Sequence, residues 1–126
     1  VGAGLGVVVA ASAIVSGPAA WQSRRVIRVL DSADLPLGRP RCVQAHGCRI
    51  ALVRTEAGVF ALDDACPHRG GPLSEGDVED GALACPIHGW AFELSTGQMR
   101  GTSGVRVGTY PVEEVDGEVR VGPRRA

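Results

Sequence analysis

The sequence has 126 residues and contains no lysine and no asparagine; its aromatic side chains are two Trp, one Tyr and two Phe. Every basic residue is therefore arginine, which we attribute to genome composition and from which no function follows. The 13 basic residues nearly cancel the 14 acidic ones, so the chain lacks the basic footprint that nucleic-acid binding requires. Apart from an ambiguous turn near Asp31 to Leu35, no helical hydrophobic period appears after residue 23, which argues against a helical architecture. The length allows one modest core and leaves no room for a second catalytic domain. Met99 is the sole methionine and the sequence opens at Val1, so we expect the start of translation to lie upstream.

What is present is turn chemistry: 18 Gly and 8 Pro punctuate short apolar runs, as in a small β domain. The runs predict strands at Val26 to Leu30, Arg41 to Ala45, Cys48 to Thr55, Val59 to Leu62, Ala82 to Ala84, Ala91 to Leu94, Thr109 to Val115 and Glu118 to Val121. His46-Gly47 and Asp116-Gly117 read as hairpin turns. The connector from Asp31 to Pro40 is turn-rich.

Two short loops of similar design stand out, Cys66-Pro67-His68 and Cys85-Pro86-Ile87-His88. Each places a thiolate and an imidazole within a few residues, stiffened by proline and followed by glycine, so that both donors can aim at one point. Together they offer two sulfurs and two nitrogens to a single metal centre. A structural Cys2His2 zinc site usually draws a Cys pair from one turn and a His pair from a helix. Here each loop contributes a mixed pair, with residues 69–84 between His68 and Cys85. That distribution favours a [2Fe-2S] cluster with two Cys on one iron and two His on the other; a zinc-stabilised interaction module remains as an alternative.

At this point the chain resembles the Rieske [2Fe-2S] family, through C-x-H, a spacer, C-x-x-H and the flanking text RGGPLSEG and GWAFELSTG. The resemblance runs from about Val26 to Val121. It implies an all-β, Rieske-like antiparallel β-sandwich with a protruding cluster-binding subdomain, covering residues 24–126, with ligand loops at 66–72 and 85–90. It also implies that Cys66, His68, Cys85 and His88 are the cluster ligands and that His68 and His88 lie nearest the surface, where a redox partner docks. High-potential members of cytochrome bc-type complexes carry an extra cysteine in each loop, joined as a disulfide. They also place a serine two and a tyrosine four residues after the second histidine. The matching positions here are Gly71 and Ile87 for the disulfide, and Trp90 and Phe92 for the hydroxyls, so a low reduction potential is expected. Iron saturated by four protein ligands and bridging sulfides suits electron transfer and leaves no open position for substrate. Of the three histidines only His46 is uncommitted, so the mononuclear two-His-one-carboxylate iron of oxygenases cannot be assembled from these residues.

Residues 1–20 carry no charge and are rich in Val, Ala and Gly. At about 1.5 Å per residue, twenty helical residues span about 30 Å, one bilayer core. Trp21, Arg24 and Arg25 supply an aromatic and basic edge, and Gly2 and Gly6 form a small-xxx-small pair. We read 1–23 as a single transmembrane helix, contacting membrane through residues 1–21, with a signal remnant or a docked or disordered tail as alternatives. The favoured expectation is thus a membrane-anchored electron-transfer subunit of a respiratory or photosynthetic complex. The alternative is a soluble Rieske ferredoxin or a small subunit similar to that of the nitrite reductases.

Among leftover residues, His46 reads as a solvated turn residue. Cys42 and Cys48 flank that turn out of register with each other and read as buried free thiols. Glu75, Asp77, Glu79 and Asp80 form an acidic run, read as a solvated loop face, with a docking surface for a basic partner as the second reading. Arg69 needs no role beyond a surface arginine.

Overall fold

Four consecutive side chains, Ile50, Ala51, Leu52 and Val53, are each sealed from solvent. A strand points successive side chains to opposite faces, so a run buried without interruption has packing on both sides. The computed structural model, which describes residues 26–67, 70–87, 89–102 and 104–125, shows that packing as a stack of three antiparallel sheets. The strands are β1 (Ile27–Asp31), β2 (Arg41–Ala45), β3 (Cys48–Thr55), β4 (Gly58–Asp63), β5 (Asp77–Glu79), β6 (Ala82–Ala84), β7 (Ala91–Glu93), β8 (Thr109–Tyr110), β9 (Val112–Val115) and β10 (Glu118–Val121). The central sheet has the order β2-β3-β4-β8, a base sheet has the order β1-β10-β9, and a small sheet has the order β5-β6-β7.

The alternation along β3 sorts the core into two halves. Ile50 and Leu52 face the base sheet, joining Leu30, Leu35, Ala61, Tyr110, Val119 and Val121. Ala51 and Val53 face the other way, joining Leu62, Leu73, Leu83, Phe92, Cys66 and Cys85. Burial of each large aliphatic side chain contributes about 1.5–3 kcal/mol, and β3 supplies such side chains to both halves. The all-β expectation therefore holds, with the strand bounds of β2, β3, β6 and β10 as the sequence predicts.

Three details differ from expectation. Asp77–Glu79 is a strand, although its acidic composition predicts a loop. Val78 packs against the core, and the Asp80-Gly81 turn (φ 46 and 80) closes the hairpin to β6, as such a dipeptide favours. The Thr109–Val115 run is split by Pro111, which has no amide to donate. Its first part pairs with β4 and its second with β10, so the chain changes sheets there. His46 is half-buried, not solvated, with Nε2 donating to the Val121 carbonyl at 2.9 Å. The apolar segment 1–23 lies outside the described residues; among those that are described, no helix is long and apolar enough to cross a membrane.

The end of β4 is pinned by Asp63 to neighbouring β8 and to Arg124 beyond β10. Its carboxylate accepts from Tyr110 Oη (2.7 Å), Gly108 N (2.9 Å) and Arg124 Nη2 (2.7 Å). Burial pushes the Asp63 carboxyl up, but Arg124, Tyr110 and the Gly108 amide together outweigh it and hold the group below the usual carboxylate range. Burial, then the bond to Asp63, push the Tyr110 phenol well above its ordinary value. A depressed folded-state pKa contributes stability that is complete above the unfolded value, about 3.9, and is lost as pH falls through the folded value. Thermal unfolding of the wild type should therefore lose stability below about pH 4, and Asp63→Asn should remove this component of the loss. Tyr110→Phe, which deletes one donor to a charged acceptor, should cost about 1–2 kcal/mol at neutral pH.

Candidate metal centre

The two cysteine loops leave different parts of the fold yet share one hydrogen-bond frame. The first follows β4; the second joins β6 to β7. In each, the residue before the cysteine pairs with the residue six beyond that cysteine, Ala65 with Pro72 and Ala84 with Ala91. Cys66 N donates to Gly71 O at 2.9 Å and Cys85 N to Trp90 O at 2.7 Å. Gly70 N returns a bond to Cys66 O at 2.6 Å and Gly89 N to Cys85 O at 2.9 Å. Both glycines sit at φ 74, left-handed backbone that a side chain opposes. The shared pattern is thus C-P-x-x-G. Its glycine register was legible in the sequence, but the sequence reading noted only that glycine follows.

Cys66 is 2% exposed and Cys85 4%, and both belong to one packed cluster with Leu73, Leu83 and Phe92. The loop tips are exposed at Pro67, Gly70, Pro86, Ile87 and Gly89. The structure thus brings the two predicted cysteines together at the roots of neighbouring loops. His68 and His88 lie outside the described residues. The loops also touch each other: a Cβ placed on Gly71 would stand 2.4 Å from Ile87 Cδ1 and 3.5 Å from Cys85 Sγ. An aliphatic side chain therefore occupies the space between the two positions where a disulfide brace was considered. Trp90 packs against the core and Phe92 is fully buried; neither side chain carries a hydroxyl.

Outside this pair, Cys42 and Cys48 are free thiols in the register expected, Cys42 opposite Ala51 and Ala45 opposite Cys48. Burial was expected for both; Cys42, on the edge strand β2, is exposed and Cys48 is half-buried. Sequence reasoning also passed over the doublet Asp63-Asp64 that precedes the first loop. Two consecutive acids between a strand and a ligand cysteine were the available signal, and Asp64 proves to be 1% exposed.

A three-sheet antiparallel stack that buries two cysteines at the roots of paired, exposed loops is a small β domain with one candidate metal centre. The chain belongs to the Rieske [2Fe-2S] domain family, whose sequence model matches residues 25–111. It is 43% identical over 75 residues to the anthranilate 1,2-dioxygenase ferredoxin subunit of Burkholderia cepacia, covering 57% of this chain and 68% of that protein. It is 43% identical over 83 residues to the 4beta-methylsterol monooxygenase of Methylococcus capsulatus, covering 56% of this chain; it spans 22% of the length of that relative. A solved Mycobacterium tuberculosis chain, assigned as an NADH-dependent nitrite reductase small subunit, superposes with a TM-score of 0.73 at 28% identity, over 80% of this chain and 95% of that one. The cofactor is accordingly a Rieske-type [2Fe-2S] cluster, and the donor chemistry fits it: two buried thiols in one packed cluster, with a histidine two or three residues after each cysteine in the sequence.

Two glycines beside the centre are under unequal constraint. At Gly76 a Cβ would meet the Ala84 carbonyl oxygen at 1.7 Å, a backbone atom that cannot turn aside. At Gly71 the first obstacle is the end of the Ile87 side chain, which is half exposed and free to move. Gly76→Ala should therefore cost about 3 kcal/mol or more of stability and abolish cluster retention. Gly71→Ala should cost under about 1.5 kcal/mol and keep the cluster, both read by thermal unfolding and visible absorbance.

Proposed function

We propose that this chain is a one-electron carrier of the Rieske ferredoxin type, in which Cys66 and Cys85 hold one iron and His68 and His88 the other. The observation that carries the reading is the pair of congruent six-residue loops with buried cysteines in a common packed cluster. Bound there, the cluster supplies a reversible one-electron change without bond-making at substrate. The protein's part is to hold and shield. The closed loops fix the cysteine backbones, the Leu73, Leu83 and Phe92 side chains keep water from the sulfurs, and the exposed Pro67, Gly70, Pro86, Ile87 and Gly89 leave the loops open to a docking protein.

The partner we favour is the oxygenase or reductase component of an oxygenase system, by similarity to the ferredoxin subunit of anthranilate 1,2-dioxygenase. Likeness to the nitrite reductase small subunit supports a second reading, an electron-carrying small subunit of a reductase. Neither relative supports the respiratory or photosynthetic membrane complex expected from residues 1–21, so that expectation gives way to the ferredoxin alternative.

The purified protein should contain two irons and two acid-labile sulfides per chain, with a reduced paramagnetic signal coupled to two imidazole nitrogens. Cys66→Ser or Cys85→Ser should abolish it. One zinc and no iron in protein made with ample iron would overturn the reading. The missing hydroxyls at Trp90 and Phe92 remove donors that would stabilise the more negative reduced cluster. The midpoint potential at neutral pH should therefore lie toward the bottom of the Rieske range, on the order of −150 mV. A titration giving a midpoint above about +100 mV, well up that range, would refute the ferredoxin role.

A further inference from the structure

The two acids before the first loop divide their work. Among the described residues, the Asp63 carboxylate takes its partners from β8 and the residue before it, Tyr110 and Gly108, and from Arg124 beyond β10. The partners of Asp64 lie elsewhere. Its Oδ1 accepts from Ser74 N at 2.7 Å, its Oδ2 accepts from Arg49 Nη2 at 2.8 Å, and its backbone carbonyl accepts from Leu73 N at 2.6 Å. The Cys42 thiol reaches Oδ2 at 3.6 Å, and Asp64 N donates to Arg49 O at 3.0 Å. Residues 64 and 73–74 are the two ends of the first loop, just outside the Ala65 and Pro72 bridge.

One carboxylate thus joins the entry of the loop to its exit and ties both to β3. Burying a carboxylate costs several kcal/mol unless it is paired and hydrogen-bonded. The β3–β4 ladder already connects Arg49's strand to Asp64's, so the bond to the Ser74 amide is the one that ladder does not supply.

We propose that Asp64 is a positioning residue for the cluster: it clamps the ends of the 66–72 loop and so fixes the direction in which Cys66 presents its sulfur. This rests on the assignment of Cys66 as a ligand. The second loop needs no such clamp, because Ala84 and Ala91 at its ends are already paired neighbours in the β6–β7 ladder. The first loop has only the isolated Ala65 and Pro72 bridge, and Asp64 makes up the difference.

The test uses the full chain carrying its cluster, with Asp64→Ala, Asp64→Asn, Ser74→Pro, Arg49→Ala and Asp63→Asn. Cluster loss to excess iron chelator, the paramagnetic spectrum of the reduced state and the thermal midpoint are measured for each. Asp64→Ala should lose its cluster about tenfold faster or more, as loss of a group supporting a metal ligand does, and its spectrum should change. Asp64→Asn keeps an oxygen for the Ser74 amide and should recover most of the wild-type rate and spectrum. Asp63→Asn should lower the thermal midpoint but leave cluster loss at the wild-type rate. Wild-type loss and spectrum in Asp64→Ala would overturn the proposal, as would equal acceleration by Asp63→Asn, which would mean that global stability alone governs retention. Should Asp64→Ala fail to fold, Ser74→Pro decides, since it deletes the amide donor to Asp64 Oδ1 and leaves the Arg49 pair in place: faster loss than in Arg49→Ala, whose exposed side chain meets only the other oxygen, supports the clamp, and loss no faster overturns it. Iron and sulfide in the wild type that vanish in Cys66→Ser keep the ligand assignment standing whichever way the Asp64 variants behave.

Discussion

Burial of β3 on both faces is the constraint on which the rest of this structure depends. With Ile50 and Leu52 committed to the base sheet and Ala51 and Val53 to the cysteine side, the strand cannot slip by one residue without exchanging the two half-cores. Neighbouring β4 repeats the division with Ala61 and Leu62. Strand β3 also supplies Arg49, whose guanidinium reaches the Asp64 carboxylate. The register that builds the core thus also places the support beneath the first cysteine loop.

Strand positions were legible because this chain marks its hairpins with left-handed residues. His46-Gly47 and Asp116-Gly117 sit at φ near 53 and 75, and both turns were read from the dipeptide. Asp80-Gly81 is the same device, yet it was missed, because the strand before it carries two acids and one apolar residue. Sequence periodicity weighs apolar side chains, and a three-residue edge strand offers too few to weigh. The sheet change at Pro111 was hidden for another reason: Thr109 to Val115 is continuous in β-forming character, and what divides it is which neighbour each half meets.

The metal centre was legible in type and less so in support. Cysteine, proline and histidine in two short loops gave the donor set and the family. What could not be read was the carboxylate chemistry beneath it, since a buried acid and a solvated acid are the same letter. Asp63 and Asp64 point to different parts of the fold and acquire different roles only through their partners. The acidic residues that caught attention, Glu75, Asp77, Glu79 and Asp80, are surface residues beside a strand edge, where charge discourages pairing with other chains.

The congruent frame of the two loops bears on how the protein is made. The second loop is the end of a local hairpin. Its ladder, from Ala82 and Glu93 to Ala84 and Ala91, joins residues near in sequence, which favours early formation. The first loop has only the isolated Ala65 and Pro72 bridge of its own, and its Asp64 support is complete only when β3 has brought Arg49 to that carboxylate. A nascent chain therefore prepares one jaw of the cluster site locally and the other by tertiary folding. Cluster insertion would then read out whether the central sheet has formed, and holoprotein would accumulate only from chains that have passed that checkpoint.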